Sequence, residues 1–208
     1  MFDDEYFIIT QPRQDDVRHD LLPDLGPDED TAALNFRYEA LPLGSKPLKF
    51  RNSAKSFRDR RGMTTMKVPP DVLFDGDNPV VRSRIRDKLL ALNIPHLAIQ
   101  PAIYLDDWGT WHEDYWYLTF LETFHCWDPK KSELGERVKA VDEYLYTMYR
   151  VSLDEAVMRS TPLEQRLLFQ LDTLPGLVLA HRSVAGFFRG GGSSGALVVS
   201  LQDYPSRA

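Results

Sequence analysis

Short apolar runs recur along the chain, several of them alternating with polar residues at the period of two expected for a strand buried on one face. "EYFIIT" (5–10) combines aromatic and β-branched residues and predicts a strand. In "LNFRYEALP" (34–42), Leu34, Phe36, Tyr38 and Ala40 alternate with polar neighbours and predict another. "HLAIQPAIYL" (96–105) and "YWYLTFLETFHCW" (115–127) predict two more, joined by an acidic, aromatic tip. "LLFQL" (167–171), "GLVLA" (176–180) and "ALVVSL" (196–201) add strand-like material, with "RSVAGFF" forming a short helix between the last two.

Helical spacing stands out in one place. Val81, Ile85, Leu89 and Leu92 recur along one face. Asn78 is suited to cap that helix and Pro79 to enter its first turn, which predicts a helix over 79–92. "TPLE" (161–164) has capping-box chemistry, Thr161 with Glu164, so the segment after it is open to helix or strand. The stretch 14–31 is polar and proline-punctuated, too irregular for a long helix. Residues 46–67 have little apolar periodicity and suggest a boundary between a module over 1–67 and a domain over 68–208. Several hairpins, few helices and no internal repeat predict an α+β fold. Its sheet is expected to be mostly antiparallel, its helices few and short, with the N-terminal third a smaller appended module.

Composition adds bounds. The 208 residues are 43% hydrophobic, enough for a substantial core. No apolar run reaches membrane-spanning length, and the acidic start (Asp3, Asp4, Glu5) lacks the basic opening of a signal peptide. Cys126 is the single cysteine, so no intrachain disulfide forms. A cytoplasmic protein without a membrane partner is expected. The net charge of −6 argues against a general nucleic-acid binder and allows a basic partner. Its distribution is uneven: residues 1–30 hold ten carboxylates against Arg13 and Arg18. Residues 46–67 instead carry eight cations against Asp59 alone.

Candidate chemistry is thin. "HCWD" places His125 beside Cys126, but neighbours in a strand face opposite sides, and a base must reach the sulfur. "WHEDYW" begins like a zinc-protease motif without the second histidine, so no metal is expected, and no cofactor. "RGGGSSG" (189–195) lacks the Lys and Ser/Thr of a phosphate loop and reads as a turn. Nothing places a second carboxylate across a cleft from Asp106 and Asp107, so no enzyme class is expected.

The tip is different. Tyr104 to Phe120 holds three of the four tryptophans. Trp116 fits a core strand position, whereas Trp108 and Trp111 flank Gly109 and Thr110 in the expected turn. Tryptophan ringed by charge is the composition of a protein-binding anchor with a polar rim. The candidate binding residues are Asp106, Asp107, Trp108, Trp111, His112, Glu113 and Asp114. Asp15, Asp16, Asp28 and Glu29 form a second candidate surface.

"PPDVLFDGDNPVVRSRIRDKLLALNI", "YWYLTFLETFHCWDPKKSEL" and "GLVLAHRSVAGFFRGGGSSGALVVSL" occur in an order that resembles immunity protein family eleven, encoded beside bacterial polymorphic toxins and formerly a domain of unknown function. In "CWDPKKS", Asp128 and Ser132 stand where that family has an aspartate-ended strand and a charged turn. The resemblance covers about residues 68–204. It implies a cytoplasmic protein that binds and neutralises a cognate toxin, with nucleases delivered by type VI secretion among the toxins of such systems. A nuclease must present cationic surface to phosphates, which an acidic inhibitor can occupy. Two rival readings are a nucleic-acid module on 46–67, with Phe50 and Phe57 stacking on bases, and a hydrolase built on Cys126 and His125.

Overall fold

The computed structural model describes residues 2–12, 21–140, 143–173, 176–190 and 194–204. The first half runs β1 (Tyr6–Thr10), β2 (Leu25–Pro27), α1 (Glu29–Ala32), β3 (Leu48–Asn52), α2 (Lys55–Asp59), β4 (Val72–Asp75), β5 (Asn78–Arg82) and α3 (Ser83–Leu90). The long hairpin of β6 (Leu97–Leu105) and β7 (Trp111–Phe120) follows, then β8 (Thr123–Phe124), β9 (Glu133–Ala140), β10 (Glu143–Arg150) and α4 (Glu155–Ser160). The chain finishes with β11 (Leu168–Leu171), β12 (Val178–His181), α5 (Arg182–Ala185) and β13 (Leu197–Ser200). Among the described residues no helix is long and apolar enough to cross a membrane.

The strands form a five-stranded sheet, β13-β1-β12-β11-β8, a six-stranded sheet, β2-β3-β6-β7-β5-β4, and the separate β9–β10 hairpin. Among the described strands β3–β6 and β8–β11 pair in parallel and the others antiparallel, so the fold is α+β with mostly antiparallel sheet and short helices. The boundary expected near 46–67 does not coincide with a break in strand pairing. β1 lies between β12 and β13, and β3 pairs along β6.

Three apolar clusters explain the arrangement. Ile9, Val178 and Ala180 of the first sheet meet Val72, Val81 and Leu118 of the second, with Ile85 and Leu89 of α3 in the same cluster. The other face of the five-stranded sheet buries Tyr6, Ile8 and Leu179 against Cys126, Met158 and Trp127. The other face of the six-stranded sheet buries Phe50, Ala102, Tyr104, Tyr115 and Tyr117 against Phe36. Burying each such large side chain stabilises the fold by about 1.5–3 kcal/mol relative to exposure.

Three expectations are corrected. Asn78 and Pro79 do not open a helix; they begin β5, which is hydrogen-bonded to β4 and β7 on its two sides. Val80 and Val81 are fully buried, and β-branched residues flanked by two strands follow the sheet. The helix starts only at Ser83, and of the four spaced residues Ile85 and Leu89 are its buried ones. Residues 34–42 form turns, because Phe36 enters the core and Leu41 packs against its edge while Leu34, Tyr38 and Ala40 stay exposed. Thr161 does not cap the 3-10 turn Leu163–Arg166 that leads into β11; it ends α4, its hydroxyl donating to the Val157 carbonyl at 2.9 Å.

Candidate functional site

The β6–β7 hairpin carries the tip. Alternation along β6 buries Gln100, Ala102 and Tyr104 and leaves Pro101 exposed, with Ile103 and Leu105 half-buried. The register shifts between Ala102↔Tyr115 and Tyr104↔His112, so Glu113 and Asp114 together oppose Ile103 in a bulge. Bulges of this kind bend the strand and re-aim side chains near its end. Leu105 then opposes Trp111, which places Trp111 in the first position of β7 rather than in the turn.

Asp106 organises the loop between them. Its Oδ1 accepts the amides of Trp108 at 2.9 Å and Thr110 at 2.8 Å, and its Oδ2 lies 3.0 Å from His112 Nε2. Its own amide donates to the Thr110 carbonyl at 3.0 Å. Burial alone would raise the Asp106 carboxyl, but the donors from His112, Thr110 and Trp108 outweigh it and hold the group below the ordinary carboxylate range. The His112 ring stacks on Tyr104 with centroids 5.9 Å apart. Gly109 completes the turn at φ +86°, a conformation that favours glycine.

Asp107 also faces inward in its bonding. Its carboxylate accepts from Asn52 Nδ2 at 2.9 Å and its carbonyl from Lys55 Nζ at 2.5 Å. Asn52 also donates to Thr65 Oγ1 at 3.1 Å, so β3, α2 and the loop after α2 are fastened to the tip. Of the remaining carboxylates, Asp114 pairs with Arg82 at 2.6 Å and Glu113 is exposed. Trp108 and Trp111 are 50% and 53% exposed.

The seven residues singled out in the sequence therefore fall into two groups. Asp106, Asp107 and His112 hold the loop. Trp108, Trp111, Glu113 and Asp114 face solvent. Asn52, Lys55 and Thr65, which complete the site, lie in the basic stretch and carried no local signal beyond the Leu48–Phe50 alternation.

The other candidates are placed as follows. Phe50 is 2% exposed inside the core and has no face for a base, while Phe57 carries the Arg61 guanidinium 4.2 Å above its ring. Cys126 is fully buried, and burial together with the Asp172 and Asp154 charges pushes its thiol pKa up, which suppresses the thiolate. His125 turns instead to Asp172, which also accepts from Trp127 Nε1 at 3.1 Å. Among the described residues no group of three or more His, Cys, Asp and Glu converges as metal ligands do. Asp28 caps α1, accepting the Thr31 amide at 2.9 Å, and Glu29 follows it, exposed. Asp15 and Asp16 lie outside the described residues. In the glycine run, Gly195 sits at φ +73° against Val72, where a Cβ would lie 2.1 Å from the Val72 carbonyl oxygen.

No family model and no curated protein matches the chain.

Proposed function

We propose that this chain is an immunity protein that binds a cognate toxin and neutralises it by covering the toxin's functional cleft, without chemistry of its own. The observation that carries the reading is the pair of half-exposed indoles, Trp108 on the loop held by the Asp106 hub and Trp111 at the start of β7. Interfaces draw most of their free energy from a few aromatic anchors, and a rigid anchor loses little conformational entropy on binding. The resemblance across residues 68–204 supplies the toxin as the class of partner.

The test uses the polypeptide encoded beside this chain. Co-expression is expected to restore growth of cells that the polypeptide arrests, and calorimetry to register tight one-to-one binding. Trp108→Ala with Trp111→Ala is expected to cost about 2 kcal/mol or more in binding while the melting temperature barely moves. Persistent growth arrest with both proteins present, or catalytic turnover by the purified chain, would overturn the reading.

A further inference from the structure

We infer that the surface of α2 and the loop after it, beside the tip, takes an acidic partner surface, with carboxylates set around an apolar centre, rather than the basic one that the chain's net charge suggests. The inference deepens the binding reading above and rests on it.

The chain's overall charge is −6, but residues 46–67, which lie beside the tip, carry eight cations against Asp59 alone. β3 and β6 run parallel and finish together, Arg51 opposite Leu105, so the tip and α2 emerge side by side. Lys55 reaches the Asp107 carbonyl, and the Thr65–Asn52–Asp107 hydrogen bonds bring the loop after α2 against the tip. The tip's two foremost carboxylates turn into this assembly and keep their charge there, Asp106 on Trp108, Thr110 and His112, and Asp107 on Asn52, while Glu113 and Asp114 stay exposed on β7. What α2 and its following loop display instead is Lys55, Arg60, Arg61 and Lys67, all exposed, with Asp59 as the exposed carboxylate within the same segment. Arg58 is the exception among the cations, only 2% exposed and bonded to Thr65.

Apolar surface is interleaved with these charges. Phe57 is 46% exposed, Met63 44% and Val68 71%, on the same segment that borders Trp108. A single-stranded nucleic acid would also answer the cations. Bases would find the Trp108 and Trp111 indoles to stack on, but little else in the patch answers them: Met63 and Val68 are not aromatic and Phe57 already carries Arg61. Apolar centres ringed by one sign of charge fit a protein face of the opposite sign, and such complementarity sets encounter rate and partner choice.

The test compares the wild-type chain with Arg60→Glu/Lys67→Glu, two exposed positions away from the Asp106 hub, after circular dichroism and melting show that the variant is folded. Against the neighbour-encoded polypeptide, the double reversal is expected to weaken binding tenfold or more, and added salt to narrow that gap. Equal or tighter binding by the variant means a neutral or basic partner and overturns the inference while leaving the immunity reading intact. Absence of wild-type binding removes the immunity reading instead. A second arm then decides the surface by itself: the full chain is panned against displayed random dodecapeptides and challenged with a (dT)20 oligonucleotide. Enrichment of acidic, apolar peptides that the double reversal releases upholds the inference. Enrichment of basic peptides, insensitivity to the reversal, or salt-sensitive retention of (dT)20 overturns it.

Discussion

Removal of the Asp106 carboxylate tests the claim that the tip is a rigid platform. In Asp106→Ala three donors lose their acceptor: the amides of Trp108 and Thr110, and His112 Nε2. Hydrogen bonds to a charged group contribute about 1.5–3 kcal/mol each, which sets a ceiling of roughly 4.5–9 kcal/mol. The ceiling is not reached, because the Trp108 and Thr110 amides sit in an exposed turn where water can replace the carboxylate. Loss of a capping carboxylate in such settings costs about 1 kcal/mol per amide, and with a similar cost at half-buried His112 the expected loss is about 3 kcal/mol. Asp106→Asn keeps the Oδ1 acceptor and is expected to lose about 1 kcal/mol, since His112 can accept from the new amide in its other tautomer. Urea unfolding followed by tryptophan fluorescence measures both, and calorimetry against the partner measures whether the indoles remain positioned. A change below about 0.5 kcal/mol in Asp106→Ala, within the ordinary range for surface substitutions, would refute the hub.

Three further outcomes follow from the same structure. Asp75 accepts both Arg37 nitrogens at 2.8 Å and the buried Tyr117 hydroxyl at 3.0 Å, so Asp75→Ala is expected to cost about 3 kcal/mol, the lower end for a broken buried pair because Arg37 can rehydrate. Cys126→Ser places a hydroxyl in an apolar cluster and is expected to lose about 1–3 kcal/mol in urea unfolding. The native Cys126 thiol should resist thiol reagents until the chain unfolds, and rapid labelling of the folded protein would contradict its burial. Burial lowers the His181 pKa below its ordinary value, with Glu5 opposing and Arg182 and Arg166 assisting, so the folded state keeps the ring neutral while the unfolded state protonates. Stability is therefore full above the unfolded pKa and falls as pH drops below about 6.5, and His181→Gln should flatten that fall in melting temperature against pH.

What the sequence made legible was wherever alternation was long or flanks were clear. β6 and the Tyr115–Phe120 part of β7 are such strands, with Tyr115 and Tyr117 in one cluster and Leu118 and Phe120 in the other. β1 is short but aromatic and β-branched, and β12 and β13 are short apolar runs that contain valine. β3 was hidden because Leu48 and Phe50 supply only two apolar positions between Lys49, Arg51 and the charges beyond. β5 was misread because Val81 matches a helical period only by coincidence with Ile85 and Leu89, and local capping chemistry at Asn78 yields to a place between two strands. In the site, the indoles announced themselves by composition. The inward turn of Asp106 and Asp107 did not, since their donors come from three separate segments: the tip itself, Asn52 on β3 and Lys55 on α2.

The position of β1 has a consequence for how the protein is made. Tyr6 stands opposite His181, and Thr10 opposite Leu197, so this apolar strand leaves the ribosome well before its partners and waits unpaired until residues 178–200 are free. Non-local pairing of this kind is slow and leaves aggregation-prone surface uncovered in the meantime. The β6–β7 hairpin joins neighbours in sequence and can close at once. The indole-bearing end is thereby able to take shape on the nascent chain while the five-stranded sheet is still incomplete, and a chaperone that shields residues 6–10 would raise the yield without touching the tip.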